Sequence, residues 1–209
     1  MNVAHIDELD RIEMPEGFVW RPIRRRFDVR AFGTNAYTSS APGGQIVEEH
    51  TEERLGHEEM YLVLRGRVRF AIGDDEHELA AGQLVFVRDP LLRRSAVALT
   101  DDAAVFTLGG KPGEAFRPSA WEAVFAAAPA ANEGRFEDAI ATVAEALAEQ
   151  PDHPSLLYNL ACYEARCGRS LDALLHLQRA VELDPAMKAF AATDADFDSI
   201  RSEQGFPAA

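Results

Sequence analysis

The stretch Gly44-Gln45-Ile46-Val47-Glu48-Glu49-His50-Thr51-Glu52-Glu53-Arg54-Leu55-Gly56-His57-Glu58-Glu59-Met60-Tyr61-Leu62-Val63-Leu64-Arg65-Gly66 decides the fold. Five residues separate Gly44 from His50, and six separate Glu59 from Gly66. His57 stands two residues before Glu59, so on an extended backbone the imidazole and the carboxylate share one face. The run Tyr61-Leu62-Val63-Leu64 is short and β-prone. This part of the stretch reads as a strand that ends at a glycine.

Working outward, the segment from about 17 to 110 reads as strands. Val68, Phe70 and Ile72 alternate with Arg67, Arg69 and Ala71, which predicts a half-buried strand with one charged face. Gly73-Asp74-Asp75 is a hairpin turn signal before Glu76-His77-Glu78-Leu79. Leu84-Val85-Phe86-Val87 follows Gly82, and Ala103–Leu108 follows Thr100-Asp101-Asp102. Many short strands at close spacing predict an antiparallel sandwich or barrel. The run Arg21, Arg24, Arg25, Arg26, Arg30 reads as a solvated edge-strand face that discourages strand pairing, with an anion site as the alternative.

At 209 residues and 47% hydrophobic content the chain holds enough apolar surface for one domain or two small ones. A formal charge of -14 repels nucleic acid and anionic membrane, which argues against both as partners. Cys162 and Cys167 lie five apart in a helical pattern, on different helix faces, so neither a disulfide nor a zinc site is expected between them. The first ten residues carry no basic region followed by an apolar one, and no apolar run approaches a membrane span. The expectation is a reduced, cytoplasmic protein.

From about residue 117 the pattern turns helical and Ala-rich, with an internal repeat. Gly134, Asp138, Ala139, Ala146 and Pro151 recur 34 residues later as Gly168, Asp172, Ala173, Ala180 and Pro185. Small residues let neighbouring helices approach, the glycines permit the turns, and the prolines end the second helices. Period and pattern resemble the tetratricopeptide repeat, with Leu157, Leu160, Ala161 and Leu177 in the same register. The first repeat has Ala123 and Ala126 where the second has Leu157 and Leu160. Two repeats are few for a continuous core, so Phe197, Ile200 and Phe206 in the tail are expected to supply a helical cap. Tyr158, Leu160, Leu174 and Leu177 are expected in the core, and Asn159 and Arg166 on a solvated helix face.

The Gly44–Gly66 stretch resembles the first motif of the cupin family: glycine, five residues, His-x-His, a short gap, glutamate, six residues, glycine. The resemblance implies a two-part α+β protein, with an antiparallel cupin β-barrel over 17–113 and an all-α tetratricopeptide module over 117–209. It also implies a metal held inside the barrel. Here His50 matches the first histidine, Glu52 stands at the second, and Glu59 matches the glutamate by its distance to Gly66. Counting forward from Glu52 instead puts His57 at the glutamate position. His50, Glu52, His57 and Glu59 are thus the candidate ligands for a divalent ion such as Fe, Mn, Ni or Zn.

The segment Ala80–Pro90 resembles the turn and strand of the second motif, with alanine in place of its proline, but its histidine is missing. Arg93, Arg94 and Ser95 occupy that neighbourhood. Arginine stays protonated and is no metal ligand, so Arg93 and Arg94, with Tyr61, are candidates for binding a small-molecule or anionic ligand. An arginine that lines an empty pocket is expected to pair with Glu52 or Glu59. His77, in a Glu-His-Glu run after a turn signal, is expected at the surface.

These expectations combine into a cupin protein that binds a metal or small acidic ligand, with a helical-repeat module for a protein partner. The resemblance to cupins also implies a homodimer. A metal-dependent oxidoreductase is the alternative, since two histidines and one carboxylate with open positions suit dioxygen activation at iron. A third reading is a scaffold whose barrel has lost its ligand site.

Overall fold

The structure, a computed structural model, describes residues 3–14, 17–39 and 41–207. The last two residues of the expected helical span, 208 and 209, lie outside the described residues. The chain divides into two compact units, Met1–Pro118 and Ser119–Ala209.

Among the described residues the first unit contains two antiparallel sheets. The six-stranded sheet runs β1 (Ile12–Glu13), β2 (Val19–Arg21), β3 (Gly33–Ser39), β10 (Ala103–Gly110), β5 (Glu58–Arg65), β8 (Leu84–Val87). The four-stranded sheet runs β4 (Gln45–His50), β9 (Arg94–Ala98), β6 (Arg67–Ile72), β7 (Asp75–Ala80). One apolar core joins them: Tyr61, Val63, Val87 and Val105 from the larger sheet pack with Ile46, Val47, Val68, Phe70 and Ala96 from the smaller. The alternation of Val68 and Phe70 with Arg67 and Arg69 appears as buried and exposed positions along β6. Gly66, between β5 and β6, has φ +69, and a Cβ there would stand 2.4 Å from Thr100 Oγ1. Only glycine meets both constraints.

The arginine run does not form an edge strand. Ile23–Phe27 is a short helix, α1, which ends at Asp28 in the left-handed region. Arg21 lies on β2, inside the sheet order, is buried, and donates Nη1 to Leu9 O at 2.9 Å. Five residues are too few to show a helical period, and extended and helical backbones present a run of arginines equally well.

Among its described residues the second unit holds α2 (Ala120–Asn132), α3 (Phe136–Glu149), α4 (Pro154–Arg166), α5 (Ser170–Leu183) and α6 (Met187–Thr193), followed by a 3-10 turn at Ala195–Phe197. The internal repeat is also a repeat of backbone geometry. Gly134 and Gly168 have φ +77 and +84, and Arg135 and Arg169 follow them with φ, ψ of -84, 62 and -85, 58. The amide of Arg135 reaches Ala130 O at 2.8 Å and that of Arg169 reaches Glu164 O at 2.9 Å. Each glycine therefore closes the preceding helix with the same left-handed cap. Ala139, Ala173 and Ala180 are fully buried, as are Leu156, Leu177, Phe197 and Ile200. Tyr158, Leu160 and Leu174 join the same core, and Phe206 packs against it. No helix among the described residues is long and apolar enough to cross a membrane.

Candidate functional site

The first unit builds its polar site where β4, β5 and β9 meet. Register decides which side chains face inward. In β5, Glu59, Tyr61 and Val63 lie on one face, opposite Gly109, Thr107 and Val105 of β10. In β9, Arg94 and Ala96 stand opposite His50 and Val47 of β4. Val47 and His50 are an odd number of residues apart, which in a regular strand would put them on opposite faces. An irregularity in the β4–β9 ladder between them absorbs the extra residue. Opposite Glu59, a Cβ on Gly109 would come within 3.1 Å of Glu59 Cγ, so the missing side chain leaves room for the carboxylate.

Four groups close on Glu59. Tyr61 donates its hydroxyl to Glu59 Oε2 at 2.6 Å, Arg94 donates Nη1 at 2.9 Å, and His50 Nε2 lies 3.4 Å away. Glu52 is the fourth, through His50: its Oε1 is 3.9 Å from His50 Nε2. The other face of the His50 ring is fixed by Glu48 O at 2.8 Å from Nδ1. Arg94 is anchored a second time by Nη2 to Asp89 O at 3.0 Å, and its side chain is 0% exposed. Glu52 is held by its backbone amide, which donates to Pro90 O at 2.9 Å.

The electrostatics follow from this packing. Burial disfavours an imidazolium at His50, but the hydrogen bond and charge of Glu59, the Glu48 carbonyl and the Glu52 charge outweigh it and raise its pKa. Burial likewise pushes the Glu59 carboxyl up, yet hydrogen bonds from His50 and Tyr61 and the charges of His50 and Arg94 hold it below the ordinary carboxylate range. Burial pushes the Tyr61 phenol well above its ordinary value, and the Glu59 charge adds to it. Tyr61 is therefore a permanent hydrogen-bond donor and not a base.

His50, Glu52 and Glu59 present ligand atoms that all lie within 4.8 Å of one another. His57 precedes β5 and sits one step back, with Nδ1 3.1 Å from Glu52 Oε2 and its ring 5.7 Å from that of Phe116. Glu52 Oε2 is buried and receives no hydrogen bond. One imidazole nitrogen with two carboxylates is a donor set for a borderline or hard divalent ion, so the residues fit a metal. Arg93, beside Arg94, points the other way: its guanidinium is 68% exposed and pairs with Glu49 at 2.6 Å. His77 is exposed on β7. The part of Asp89, whose carbonyl anchors Arg94, and that of Glu48 are backbone roles that no side-chain pattern signals.

A second group, Cys162, Asp194 and Asp196, lies in the helical unit. Its polar atoms are used within the fold. Tyr158 donates to Asp194 Oδ2 at 2.8 Å, Arg166 donates to Asp196 Oδ1 at 2.8 Å, and the Asp194 side chain caps the 3-10 turn. Burial pushes the Cys162 thiol up, which keeps it protonated. Both cysteines are free.

The chain matches no family model and no curated protein. Among solved structures it is similar to a cupin-superfamily sugar phosphate isomerase from Silicibacter pomeroyi, with 16% identity and a TM-score of 0.45 over 53% of this chain and 76% of that one. It is also similar to KdgF from Halomonas sp., at 17% identity and TM-score 0.39 over 54% of this chain and 91% of the other. A cupin protein from Bacteroides fragilis matches at 20% identity and TM-score 0.38, over 57% of this chain and 88% of its own.

Proposed function

We propose that residues 17–113 form a cupin barrel that binds a divalent metal ion through His50, Glu52 and Glu59, and that residues 117–209 are a tetratricopeptide module that docks a protein partner. The observation that carries the metal reading is the convergence of three ligand atoms within 4.8 Å on a face made by β4 and β5 and the loop between them. His57 lies 3.1 Å from Glu52, Tyr61 donates to Glu59 and the Glu48 carbonyl fixes the His50 ring, so the ligands are oriented before an ion arrives. A bound divalent ion would supply Lewis acidity to an oxygen ligand placed in its open positions.

Binding is favoured over oxidoreductase chemistry by the composition of the set. Dioxygen activation at iron calls on two histidines and one carboxylate, whereas the converging set is one imidazole and two carboxylates, with His57 behind Glu52. A small acidic ligand belongs to the same proposal only as a group that reaches a bound ion. The Arg94 guanidinium is already shared between Glu59 and Asp89 O. The reading extends to a cytoplasmic homodimer, whose stoichiometry sedimentation would give.

The test is metal analysis of protein purified without a histidine tag. Wild-type chain is expected to carry or take up a divalent ion, and the double variant His50→Ala, His57→Ala to lose it, because removing ligands and their supports from a small set removes most of its affinity. Occupancy that survives the double replacement sinks the assignment.

A further inference from the structure

The strongest unexplained feature of the site is a permanent cation inside it. Arg94 is the most fully enclosed charged group near the carboxylates, at 0% side-chain exposure, and it reaches Glu59 Oε2 at 2.9 Å. Its Nη1 and Nη2 donate to Glu59 and Asp89 O, while its Nε is buried with no hydrogen-bond partner. Its position is set by register, directly opposite His50 in the β4–β9 ladder. The oxygen it holds is also the one that His50 Nε2 approaches at 3.4 Å.

We propose that Arg94 is a resident counter-cation that competes with the metal for Glu59 and so sets which ions the site retains. This rests on the metal reading given above. Two carboxylates alone would offer an incoming dication two negative charges. With the guanidinium in place, the two carboxylates and Arg94 together offer one. A like charge fixed a few ångströms from the ion weakens binding steeply in a site shielded from water. An ion must then form strong bonds to nitrogen and oxygen to load at all, which favours Zn2+ and Ni2+, at the tight end of the divalent series, over Mn2+. Arg94 is thus a specificity-determining residue, one that lowers affinity and narrows the choice of metal.

The experiment compares wild-type full chain with Arg94→Gln and Arg94→Lys, each stripped with chelator. Binding of ZnCl2 and MnCl2 is measured by calorimetry, with thermal melts taken with and without each ion. Arg94→Gln removes the charge, and its Kd for both ions is expected to fall by about tenfold or more, with the larger gain for Mn2+. Its melting point is expected to rise more on adding Zn2+ than that of wild type, since the ion replaces the lost counter-charge. Arg94→Lys keeps the charge and is expected to bind as weakly as wild type. Should Arg94→Gln fail to fold, Arg94→Met, of similar length and apolar, is used for the same titrations.

Equal Kd values in wild type and the neutral variants, with binding abolished in His50→Ala, would overturn the role of Arg94 and leave the metal site standing. Binding tightened as strongly in Arg94→Lys as in Arg94→Gln would overturn it as well, since charge would not be the cause. Absence of binding in every chain, folded by its melt, would overturn the metal reading and this inference with it.

Discussion

Replacing Tyr61 with Phe deletes one hydroxyl and nothing else. Tyr61 is 1% exposed, and its hydroxyl donates to Glu59 Oε2 at 2.6 Å, a short bond to a carboxylate held in its charged form. A hydrogen bond to a charged group is worth about 1.5–3 kcal/mol, more than a neutral one, because the acceptor left behind stays buried. Glu59 keeps Arg94 and His50 as partners, which prevents the larger loss of about 3–5 kcal/mol expected when a buried charge loses its only counter-ion. The ring itself stays, including its packing against Phe70 at 5.3 Å between centroids. Metal-free Tyr61→Phe is therefore expected to be less stable by about 1.5–3 kcal/mol at pH 7. Urea unfolding followed by the fluorescence of Trp20, which is fully buried in the first unit, measures this in a Trp121→Phe background. In Glu59→Gln protein the acceptor is neutral, and the same replacement should cost only about 0.5–1.5 kcal/mol. A loss under about 0.5 kcal/mol, or an equal loss in both backgrounds, refutes the account of Glu59 as an ionised acceptor.

Two further outcomes follow from the same geometry. The folded His50 pKa is raised, so its contribution is full below the ordinary value of 6.5 and fades as pH rises through the raised one. Glu59 is lowered, so its contribution is full above 4.5 and fades as pH falls through the lowered one. Both act together between 4.5 and 6.5, and the stability gap between metal-free wild type and His50→Gln is expected to be widest there and to shrink toward pH 8. A gap that stays constant across a pH series of urea midpoints contradicts the pairing. Gly66→Ala places a Cβ 2.4 Å from Thr100 Oγ1 at φ +69 and is expected to cost about 1–3 kcal/mol, read from the same unfolding transition; an unchanged midpoint would show that the β5–β6 turn tolerates a side chain.

Much of the fold was legible because its signals are local. The alternation from Val68 to Ile72 and the Gly73-Asp74 turn give β6, β7 and their hairpin directly, since period and turn chemistry both act within a few residues. The helical repeat was legible for the same reason: Gly134 and Gly168 mark two copies of one cap. Strand β3 was not. Its sequence Gly33-Thr34-Asn35-Ala36-Tyr37-Thr38-Ser39 is buried on both faces, which erases the alternation that identifies a half-exposed strand. Helix α1 was not legible either, because Arg21 to Arg26 carry charge without period, and nothing local marks Arg21 as a buried residue whose guanidinium donates to the Leu9 carbonyl.

The site divides along the same line. His50, Glu52, His57 and Glu59 could be named as candidates from the resemblance of their stretch to the first cupin motif, which lies within a short run of sequence. Arg93 and Arg94 could not be told apart, since the side of the sheet each one faces depends on how β9 pairs with β4, and that pairing contains an irregularity. A slip of one residue would exchange them, putting Arg93 on Glu59 and Arg94 in solvent with Glu49. The two arginines have identical chemistry, so composition carries no trace of the choice. What fixes it is a contact between segments more than thirty residues apart: Arg94 finds Glu59 across the core and the Asp89 carbonyl in its own loop, while Arg93 is left with an exposed glutamate. An unpaired guanidinium cannot remain at 0% exposure, so the register that buries Arg94 and the ionised state of Glu59 depend on one another. The neutral replacement of Arg94 therefore tests a point of folding as well as of metal binding: without the guanidinium, the Glu59 charge has only His50 and Tyr61 to hold it, and an added dication should recover the stability that the variant has lost.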